Sequence, residues 1–276
     1  MEDSNCCVVS CENPIDASYW EAQYQSKNIG WDLGFVSPAI KEYIDTLVNK
    51  NCFILIPGCG NTYEAEYLLE QGFTNVTVID IAPSLVAALK EKFSSNANIT
   101  ILLGDFFEHQ GEYDLIIEQT FFCALPPAMR QKYVCKMHEL LTDKGILVGL
   151  LFNRSFEKSP PFGGSKAEYE TLFSAAFKFL KMDTCLNSVT PRLNSELFIE
   201  LKKNSEVNVK LYNFGGITCS TCANTIADKF LNIEEIHNVS INSNFTTVLI
   251  CSKNEVPIEM LREAISYDSK YTMESI

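Results

Sequence analysis

The sequence predicts an α/β fold with a mainly parallel sheet, followed by a small second domain with βαββαβ order. Three observations lead to this prediction. Short apolar runs at 53–56 and 76–79 end in turn residues, as strands buried on both faces should. A segment with helical spacing lies between them, at 62–71. A new alternation of strands and helices begins at Val207, after a polar stretch at 202–206 that we interpret as a linker.

Composition limits the functional classes. The 276 residues suffice for two domains, and 46% hydrophobic content allows a sizeable core. A net charge of −13 argues against binding to nucleic acid or anionic membranes. No apolar run is long enough for a membrane span, and the acidic N-terminus is not typical of a secretory signal. The eleven scattered cysteines argue against a disulfide scaffold, so we expect a cytoplasmic protein.

The first segment is predicted to be a flexible tail over residues 1–14. Its three cysteines, Cys6, Cys7 and Cys11, could bind a soft metal, although disorder is the more common outcome. Both tryptophans, Trp20 and Trp31, lie in the amphipathic segment that follows this tail. They either pack a leading helix onto the domain or cover an adenosyl ligand, and the pattern favours neither. A further helix is predicted over 38–49.

The turn Pro57-Gly58-Cys59-Gly60 follows the first strand. Two glycines one residue apart allow a tight turn and a close approach of ligand to backbone. Asp80 lies at the tip of the second strand, 22 positions after Gly58. Nucleotide-type sites place a ribose-binding acid about 20 residues beyond the first glycine. We therefore expect a ligand crevice here, although an ordinary glycine turn in an α/β domain is the alternative.

The cofactor class follows from a missing glycine. The third glycine of the dinucleotide fingerprint would fall at Tyr63. That glycine serves close helix packing in sites that hold a pyrophosphate. S-adenosylmethionine has a ribose and no phosphate, so the pattern favours it over a nicotinamide dinucleotide.

Two more strand ends carry candidate site residues. After a helix at 84–93, a strand at 99–103 leads to Asp105 and Phe106, which suit an adenine; Asp105 could equally cap the next turn. A strand at 113–118 leads to an apolar loop suited to a substrate pocket. Arg130 then opens a helix reaching 141. We expect it to hold an anionic substrate group or close the pocket; the alternative is a solvated residue paired with a carboxylate.

The remainder of this domain contains a strand at 146–152, a lid-like loop at 157–165, a helix at 169–177 and a final strand at 197–201. The second domain has strands at 207–214, 236–241, 246–251 and near Tyr271, with helices at 223–230 and 257–265. This order is the ferredoxin-like arrangement.

Residues 15–203 resemble the class I S-adenosylmethionine-dependent methyltransferases, and among them the thiopurine methyltransferase family and the plant halide and thiol methyltransferases. The resemblance implies a Rossmann-like seven-stranded sheet. It is carried by Tyr19-Trp20-Glu21, Gly30-Trp31-Asp32, Ile56-Pro57-Gly58-Cys59-Gly60, Val78-Ile79-Asp80-Ile81, Gly104-Asp105-Phe106-Phe107, Phe121-Phe122-Cys123-Ala124-Leu125 with Arg130, and Gly149 to Phe152 followed by Pro160-Pro161-Phe162.

The resemblance also implies a set of cofactor contacts. These are Trp20, Tyr24 and Trp31 over the cofactor, Pro57, Gly58, Cys59 and Gly60 at its amino-acid end, Asp80 and Ile81 at the ribose, Asp105 and Phe106 at the adenine, and Glu118 and Gln119 lining the site. The implied substrate contacts are Phe121, Phe122, Arg130, Pro161 and Phe162.

The chemistry that the family shares is methyl transfer to a soft nucleophile, such as a thiol, a thiopurine, a halide, or a chalcogen or metalloid species. A thiolate is already nucleophilic, so the protein supplies in-line placement and a dry pocket rather than a general base. We therefore assign no catalytic residue. The three histidines fit this view, since none is predicted at a strand tip by the pocket.

Residues 207–276 resemble a heavy-metal-associated domain, through Gly216-Ile217-Thr218-Cys219-Ser220-Thr221-Cys222. Usual members have Met where Ile217 stands. Two thiols three positions apart at a helix N-terminus suit a soft cation such as Cu(I). Structural zinc usually requires four ligands, and this motif offers two. A redox-active or inert pair is the alternative.

Three functional hypotheses follow. The first is a methyltransferase acting on a small soft nucleophile, fused to a soft-metal-binding domain. The second is a metal-binding or metal-sensing adaptor with a weak or degenerate transferase domain. The third is a nicotinamide oxidoreductase. Binding of S-adenosylmethionine that is lost in Asp80→Ala separates the first from the other two.

Overall fold

A computed structural model of the protein describes residues 15–276. The tail cysteines considered above as metal ligands lie outside these residues. Within them, one sheet has seven strands in the order β3-β2-β1-β4-β5-β7-β6. The strands are β1 (Phe53–Pro57), β2 (Asn75–Asp80), β3 (Ile99–Leu103), β4 (Tyr113–Gln119), β5 (Leu141–Phe152), β6 (Phe177–Thr184) and β7 (Glu196–Lys203).

This sheet is parallel except at one edge. Strands β1 to β5 pair in parallel, and β7 runs antiparallel to both β5 and β6. Six helices accompany the sheet: α1 (Ala17–Gln25), α2 (Pro38–Thr46), α3 (Tyr63–Glu70), α4 (Pro83–Lys92), α5 (Arg130–Leu140) and α6 (Lys166–Phe173). The mainly parallel seven-stranded sheet expected from the resemblance is confirmed.

Two apolar cores explain why these segments form a layered structure. Side chains of α2, α3 and α4 pack on one face of the sheet around Ile54 and Val78. Side chains of α5 and α6 pack on the other face around Leu55 and Ile116. The central strands are apolar at successive positions because both of their faces are buried. The carboxyl ends of the parallel strands therefore meet at one edge.

The prediction was wrong at the antiparallel edge. The helix expected at 169–177 is α6 (Lys166–Phe173), and Phe177 begins strand β6, which was not predicted. A register shift between Phe179 and Lys181 interrupts the pairing of β6 with β7. This bulge breaks the alternation of side chains that would indicate a strand in the sequence. The predicted linker also begins too early, because Lys202 and Lys203 still belong to β7.

A second sheet has four strands in the order β11-β8-β10-β9, and all three pairings are antiparallel. Its elements are β8 (Asn208–Gly215), α7 (Ser220–Leu231), β9 (Ile236–Ile241), β10 (Thr247–Ser252), α8 (Ile258–Ile265) and β11 (Thr272–Ser275). This is the predicted βαββαβ element order. We call residues 208–275 the C-terminal module.

None of the helices between residues 15 and 276 combines the length and the apolar character needed to span a membrane.

Candidate active site

A cavity of about 680 Å³ lies beyond the carboxyl ends of β1 to β4. Its size is typical of small-molecule sites, which measure about 300–1,000 Å³. Ten predicted site residues line it: Trp20, Tyr24, Trp31, Gly58, Asp80, Ile81, Asp105, Phe106, Phe121 and Pro161. Three more, Cys59, Gly60 and Gln119, line a small recess that shares Gly58 and Trp31 with the main cavity. The remaining five, Pro57, Glu118, Phe122, Arg130 and Phe162, do not line this cavity.

The glycine turn has left-handed backbone at Gly58 (φ +53°) and Gly60 (φ +52°). A side chain at Gly58 would also collide with the ring of Phe121, which lies directly against this backbone. Cys59 N donates to Ile79 O at 3.2 Å and ties the turn to β2. Thr62 occupies the N-cap position of α3, but its side chain makes no capping hydrogen bond. Glycine is therefore required at Gly58 by conformation and by space.

Asp80 joins the two strand tips. Its Oδ2 accepts from Gly60 N at 3.1 Å and its Oδ1 from Ala82 N at 3.0 Å. Burial raises the pKa of this carboxyl, while the backbone hydrogen bonds lower it. A carboxylate offers about four lone-pair positions, so Asp80 keeps acceptor capacity for ligand hydroxyl groups.

The two tryptophans pack against neighbouring aromatic rings and also line the cavity, and their cover over an adenosyl ligand stays a prediction. Trp31 meets Trp20 and Tyr24 edge-to-face, with ring centroids 5.4 and 5.8 Å apart. Trp20 and Tyr24 also pack against the core under α2, α3 and α4. Glu21 Oε2 accepts from Ser84 N at 3.0 Å, which joins α1 to the start of α4. The aromatic group is thus both a packing element and a wall of the cavity.

Asp105 and Phe106 follow β3 at the cavity edge. Asp105 Oδ1 accepts from Phe107 N at 2.8 Å, so this side chain caps the following turn while it also lines the cavity. The ring of Phe106 is buried and lies 5.1 Å from that of Phe121. Capping the turn and contacting an adenine are therefore compatible roles for Asp105.

Glu118 lies behind the cavity and holds the loop that forms its wall. Its Oε1 accepts from Phe121 N at 2.8 Å and from Phe122 N at 3.1 Å. The side chain is fully buried, and burial raises the pKa of this carboxyl to about 8. Oε2 has no hydrogen-bond partner within residues 15–276. The predicted lining residue therefore acts as a support for Phe121.

Arg130 is also placed behind the wall. Its Nη1 pairs with Glu168, and its Nη2 donates to Gly163 O at 2.7 Å. The guanidinium stacks over the rings of Phe122 and Tyr169, 5.1 and 5.7 Å from their centroids. The pairing with a carboxylate agrees with the alternative considered from the sequence, but the side chain is buried and not solvated. It also holds the loop that carries Pro160 and Pro161 against the cavity.

Two arginines that were not predicted line the cavity, Arg154 and Arg192. Arg154 is exposed and lies over the ring of Phe156 at 4.8 Å. Arg192 is mostly buried; its Nη2 donates to Trp31 O at 2.8 Å, and its Nη1 lies 3.5 Å from Glu196. Arg154 lies two positions after the end of β5. A search for polar residues directly after each predicted strand could therefore have found it. The segment that carries Arg192 offered no such signal.

A separate pair of thiols lies in the C-terminal module. The Sγ atoms of Cys219 and Cys222 are 3.1 Å apart at the N-terminus of α7, and Cys222 N donates to Cys219 Sγ at 3.4 Å. The hydrogen bond from Cys219 lowers the pKa of Cys222. Cys251 is buried in β10, and burial raises its pKa to about 12. Across residues 15–276 no group of three or more His, Cys, Asp or Glu could hold a metal ion.

Comparison with known proteins identifies relatives of this chain among methyltransferases. The family model of thiopurine S-methyltransferase matches residues 15–200. A probable thiol methyltransferase 2 of Arabidopsis thaliana is 32% identical over 194 residues, which cover 67% of this chain and 85% of that protein. A thiocyanate methyltransferase 1 of Brassica oleracea is 26% identical and covers 68% of this chain and 86% of its own length. A thiopurine S-methyltransferase of Teredinibacter turnerae is also 26% identical, covering 59% and 85%.

Solved structures agree on the fold. The 1,6-didemethyltoxoflavin-N1-methyltransferase of Burkholderia thailandensis, solved with bound S-adenosylhomocysteine, superposes with a TM-score of 0.55 at 17% identity, covering 68% of this chain and 86% of that one. The magnesium protoporphyrin IX methyltransferase of Synechocystis, also with bound S-adenosylhomocysteine, gives 0.53 at 15%, covering 68% and 100%.

Fold, cavity and relatives together define an S-adenosylmethionine-dependent S-methyltransferase whose acceptor is a small molecule. More narrowly, the chain belongs to the thiopurine S-methyltransferase family.

Proposed function

We propose that the protein methylates a small anionic nucleophile with a soft donor atom, such as a thiolate or thiocyanate. The observation that carries the proposal is the composition of the cavity end formed by the loops after β4 and β5. Phe121, Leu125, Met129 and Phe156 make it apolar, and Arg154 places a cation at its edge. Arg192, the other arginine of the cavity, is engaged with Trp31 O and Glu196. An apolar pocket with a cation at its edge suits a small anion whose charge is lost in the reaction.

The cofactor, when bound, supplies a methyl group on a sulfonium sulfur. A lone pair of the acceptor forms the new bond to the methyl carbon. The electron pair of the broken carbon–sulfur bond stays with sulfur, so the product is S-adenosylhomocysteine. Thiolate and sulfonium charges cancel, so no proton has to move. This agrees with the lining, since none of the three histidines borders the cavity. The chain's contribution is therefore placement and exclusion of water.

The proposed cofactor contacts follow from position. Asp80 would accept from the ribose hydroxyls with its free lone pairs, and Asp105 from the adenine amino group. Gly58 would let the amino-acid end approach the backbone. Trp20 and Trp31 would cover the ligand on the open side. Each of these residues lines the cavity.

A radiolabelled methyl-transfer screen tests the proposal, with thiols, thiopurines, thiocyanate, iodide, selenite, tellurite and arsenite as acceptors. We expect transfer to at least one anionic soft acceptor, and less transfer to a neutral thioether of similar size. Calorimetry with S-adenosylhomocysteine runs in parallel. Cofactor binding without transfer to any acceptor would contradict the proposal and favour the adaptor hypothesis.

A second function is favoured by the thiol pair. We propose that the C-terminal module is a ferredoxin-like, heavy-metal-associated domain in which Cys219 and Cys222 bind one Cu(I) ion. The supporting observation is an accessible pair of sulfur atoms 3.1 Å apart at a helix N-terminus. Two thiolates suit the low coordination number of Cu(I). The alternative of a redox pair predicts a disulfide instead.

Competition with a Cu(I) chelator tests this site, comparing wild type with Cys219→Ser/Cys222→Ser. Cys52→Ser/Cys185→Ser is the matched control, since both of those thiols are buried in the other half of the chain. Full affinity in the Cys219/Cys222 variant would show that the metal binds elsewhere. A reducing cytoplasm, which we also propose as the compartment, would keep the thiols available; the eight cysteines within residues 15–276 are all free.

A further inference from the structure

The beginning of α5 contacts three parts of the molecule at once. The 3₁₀ turn Pro127–Met129 precedes it, and Met129 lines the cavity. Arg130 holds the loop that carries Pro160 and Pro161, as described above. The next residue, Gln131, points to the C-terminal module. This short stretch is therefore shared between the acceptor end of the cavity and the module.

Gln131 is the central contact. Its side chain is only 4% exposed, and both ends of its amide are used. Nε2 donates to Ser240 Oγ at 2.7 Å, and Oε1 accepts from Thr247 Oγ1 at 3.0 Å. The two partners belong to β9 and β10, so the amide bridges neighbouring strands of the module. A buried amide with a hydrogen bond at each polar atom fixes orientation because rotation would break these bonds.

Asn242 adds a second contact from the turn between β9 and β10. Its Oδ1 accepts from Thr246 N at 2.8 Å and from Thr247 N at 3.1 Å, which makes the turn rigid. Its Nδ2 donates to Thr246 Oγ1 at 3.0 Å and reaches Ala128 O at 3.5 Å. Ala128 lies in the middle of the 3₁₀ turn beside Met129. The module thus contacts the same turn whose next residue lines the cavity.

Apolar packing supports these polar contacts. Strands β8 and β10 lie against α5, and Leu211 and Leu249 share a core cluster with Tyr133 and Val134. The other face of the module's sheet, with Val248 and Ile250, packs against α7 and α8. The sheet is therefore covered on both sides, once by its own helices and once by α5.

We propose that Gln131 and Asn242 are positioning residues for the acceptor: the C-terminal module holds the turn Pro127–Met129 and thereby sets the shape of the acceptor end. This rests on the proposed methyl transfer. The same turn of the module is joined to the strand that leads into the thiol loop, since Phe214 N donates to Thr246 O at 2.8 Å. The contact is separate from the cofactor end, so acceptor binding should respond to it and cofactor binding should not.

Two variants test the proposal without unfolding the module. Gln131→Met keeps the volume and removes both hydrogen bonds. Asn242→Asp keeps the acceptor atom that caps the turn and removes the donor to Ala128 O and Thr246 Oγ1. We expect Gln131→Met to raise the acceptor KM about five- to tenfold, as loss of a buried hydrogen-bonded amide should, with a smaller rise for Asn242→Asp. Affinity for S-adenosylhomocysteine should stay unchanged in both.

Asn254→Asp is the matched control. Asn254 lies between β10 and α8 in the same module, where its Nδ2 donates to Glu235 at 2.8 Å. It should leave the acceptor KM unchanged. A rise in KM for the control equal to that for Gln131→Met, or no rise for Gln131→Met, would overturn the proposal.

Hydrogen–deuterium exchange gives a readout that needs no turnover. In Gln131→Met, amides of residues 121–131 should exchange faster, while those of 76–82 should not. Equal exchange in wild type and variant over 121–131 would overturn the positioning role, whatever the activity. Absence of methyl transfer in the wild type would instead remove the proposed function, and the exchange result would still decide whether the module supports this wall.

Discussion

The two ends of the cavity are built in different ways. The proposed cofactor end is made of strand tips. Gly58 directly follows β1 and Asp80 ends β2, and the tips are joined by Gly60 N donating to Asp80 Oδ2 and Cys59 N donating to Ile79 O. The proposed acceptor end is made of the loops after β4 and β5, whose side chains come together only in the folded chain. Supports for the loops, such as Glu118 and Arg130, lie behind them.

This difference shows how a family can keep one cofactor and vary its acceptor. Strand tips are held by the sheet on both sides, so a change there disturbs the cofactor and the core together. Loops after strands tolerate substitution because fewer backbone groups depend on them. In this chain, residues of α5, α6 and the C-terminal module contact the loops of the proposed acceptor end. Four changes sharpen the comparison, in order of decreasing expected effect.

Glu118→Gln should have the largest effect, on the pH dependence of stability. Burial raises the pKa of Glu118 to about 8 from 4.5. The folded protein therefore keeps a proton that the unfolded chain has lost, and the free energy of unfolding falls as pH rises between these values, on the order of a few kcal/mol. The glutamine variant should lack this decline, so its stability relative to wild type should increase from pH 5 to pH 8.

Urea denaturation at pH 5 and pH 8 measures this difference. Glu112→Gln, in the exposed segment before the same strand, is the control and should follow wild type. Parallel pH curves for wild type and Glu118→Gln would show that Glu118 is ionised in the folded protein.

Asp80→Ala tests the cofactor end. The variant removes a carboxylate that accepts two backbone hydrogen bonds and would accept from the ribose. Hydrogen bonds to a charged group contribute about 1.5–3 kcal/mol, so affinity for S-adenosylhomocysteine should fall roughly 10- to 100-fold. Calorimetry measures this affinity. The control is Asp143→Ala, because Asp143 lies near the start of β5, at the end away from the cavity. Wild-type affinity in Asp80→Ala would remove the ribose assignment.

Gly58→Ala separates strain from collision. At φ +53° a side chain costs roughly 1–2 kcal/mol by strain alone, and here it also meets the ring of Phe121. Gly72→Ala, at φ +86° with open space around it, carries the strain without the collision. Thermal unfolding should show a larger loss for Gly58→Ala, and cofactor affinity should fall only there. Equal losses in the two variants would mean that Phe121 moves freely aside.

Arg154→Met tests the acceptor end and should have the smallest effect. An exposed charge contributes about 0.2–1 kcal/mol, so the KM of an anionic thiol should rise about two- to fivefold, with little change for a neutral acceptor. Arg130→Met is the contrast: it breaks the link to Gly163 and Glu168 and should lower the melting temperature. If Arg130→Met instead raises KM for charged acceptors alone, the direct substrate role predicted from the sequence holds.

Much of the cofactor end could be predicted from the chain alone, because it depends on local rules. A buried strand, a glycine turn and an acid at the next strand tip are close together in sequence, and the parallel sheet brings them to one edge. The same rules placed Asp105, Phe106 and Phe121 on the cavity. The resemblance also implied Glu118 and Phe122, which do not line the cavity, since a one-residue step along a strand or turn decides whether a side chain faces the cavity or the core.

The sequence by itself determined the order of elements apart from β6, together with the cofactor class and the position of the thiol pair, because each follows from short-range pattern. Only the tertiary structure decided what surrounds the acceptor. Arg154 and Arg192 enter the cavity from segments far apart in the chain, Arg130 turns away to Glu168, and Gln131 bridges to strands more than 100 positions later. Such contacts depend on how layers pack, and packing brings together residues that no local period or spacing connects.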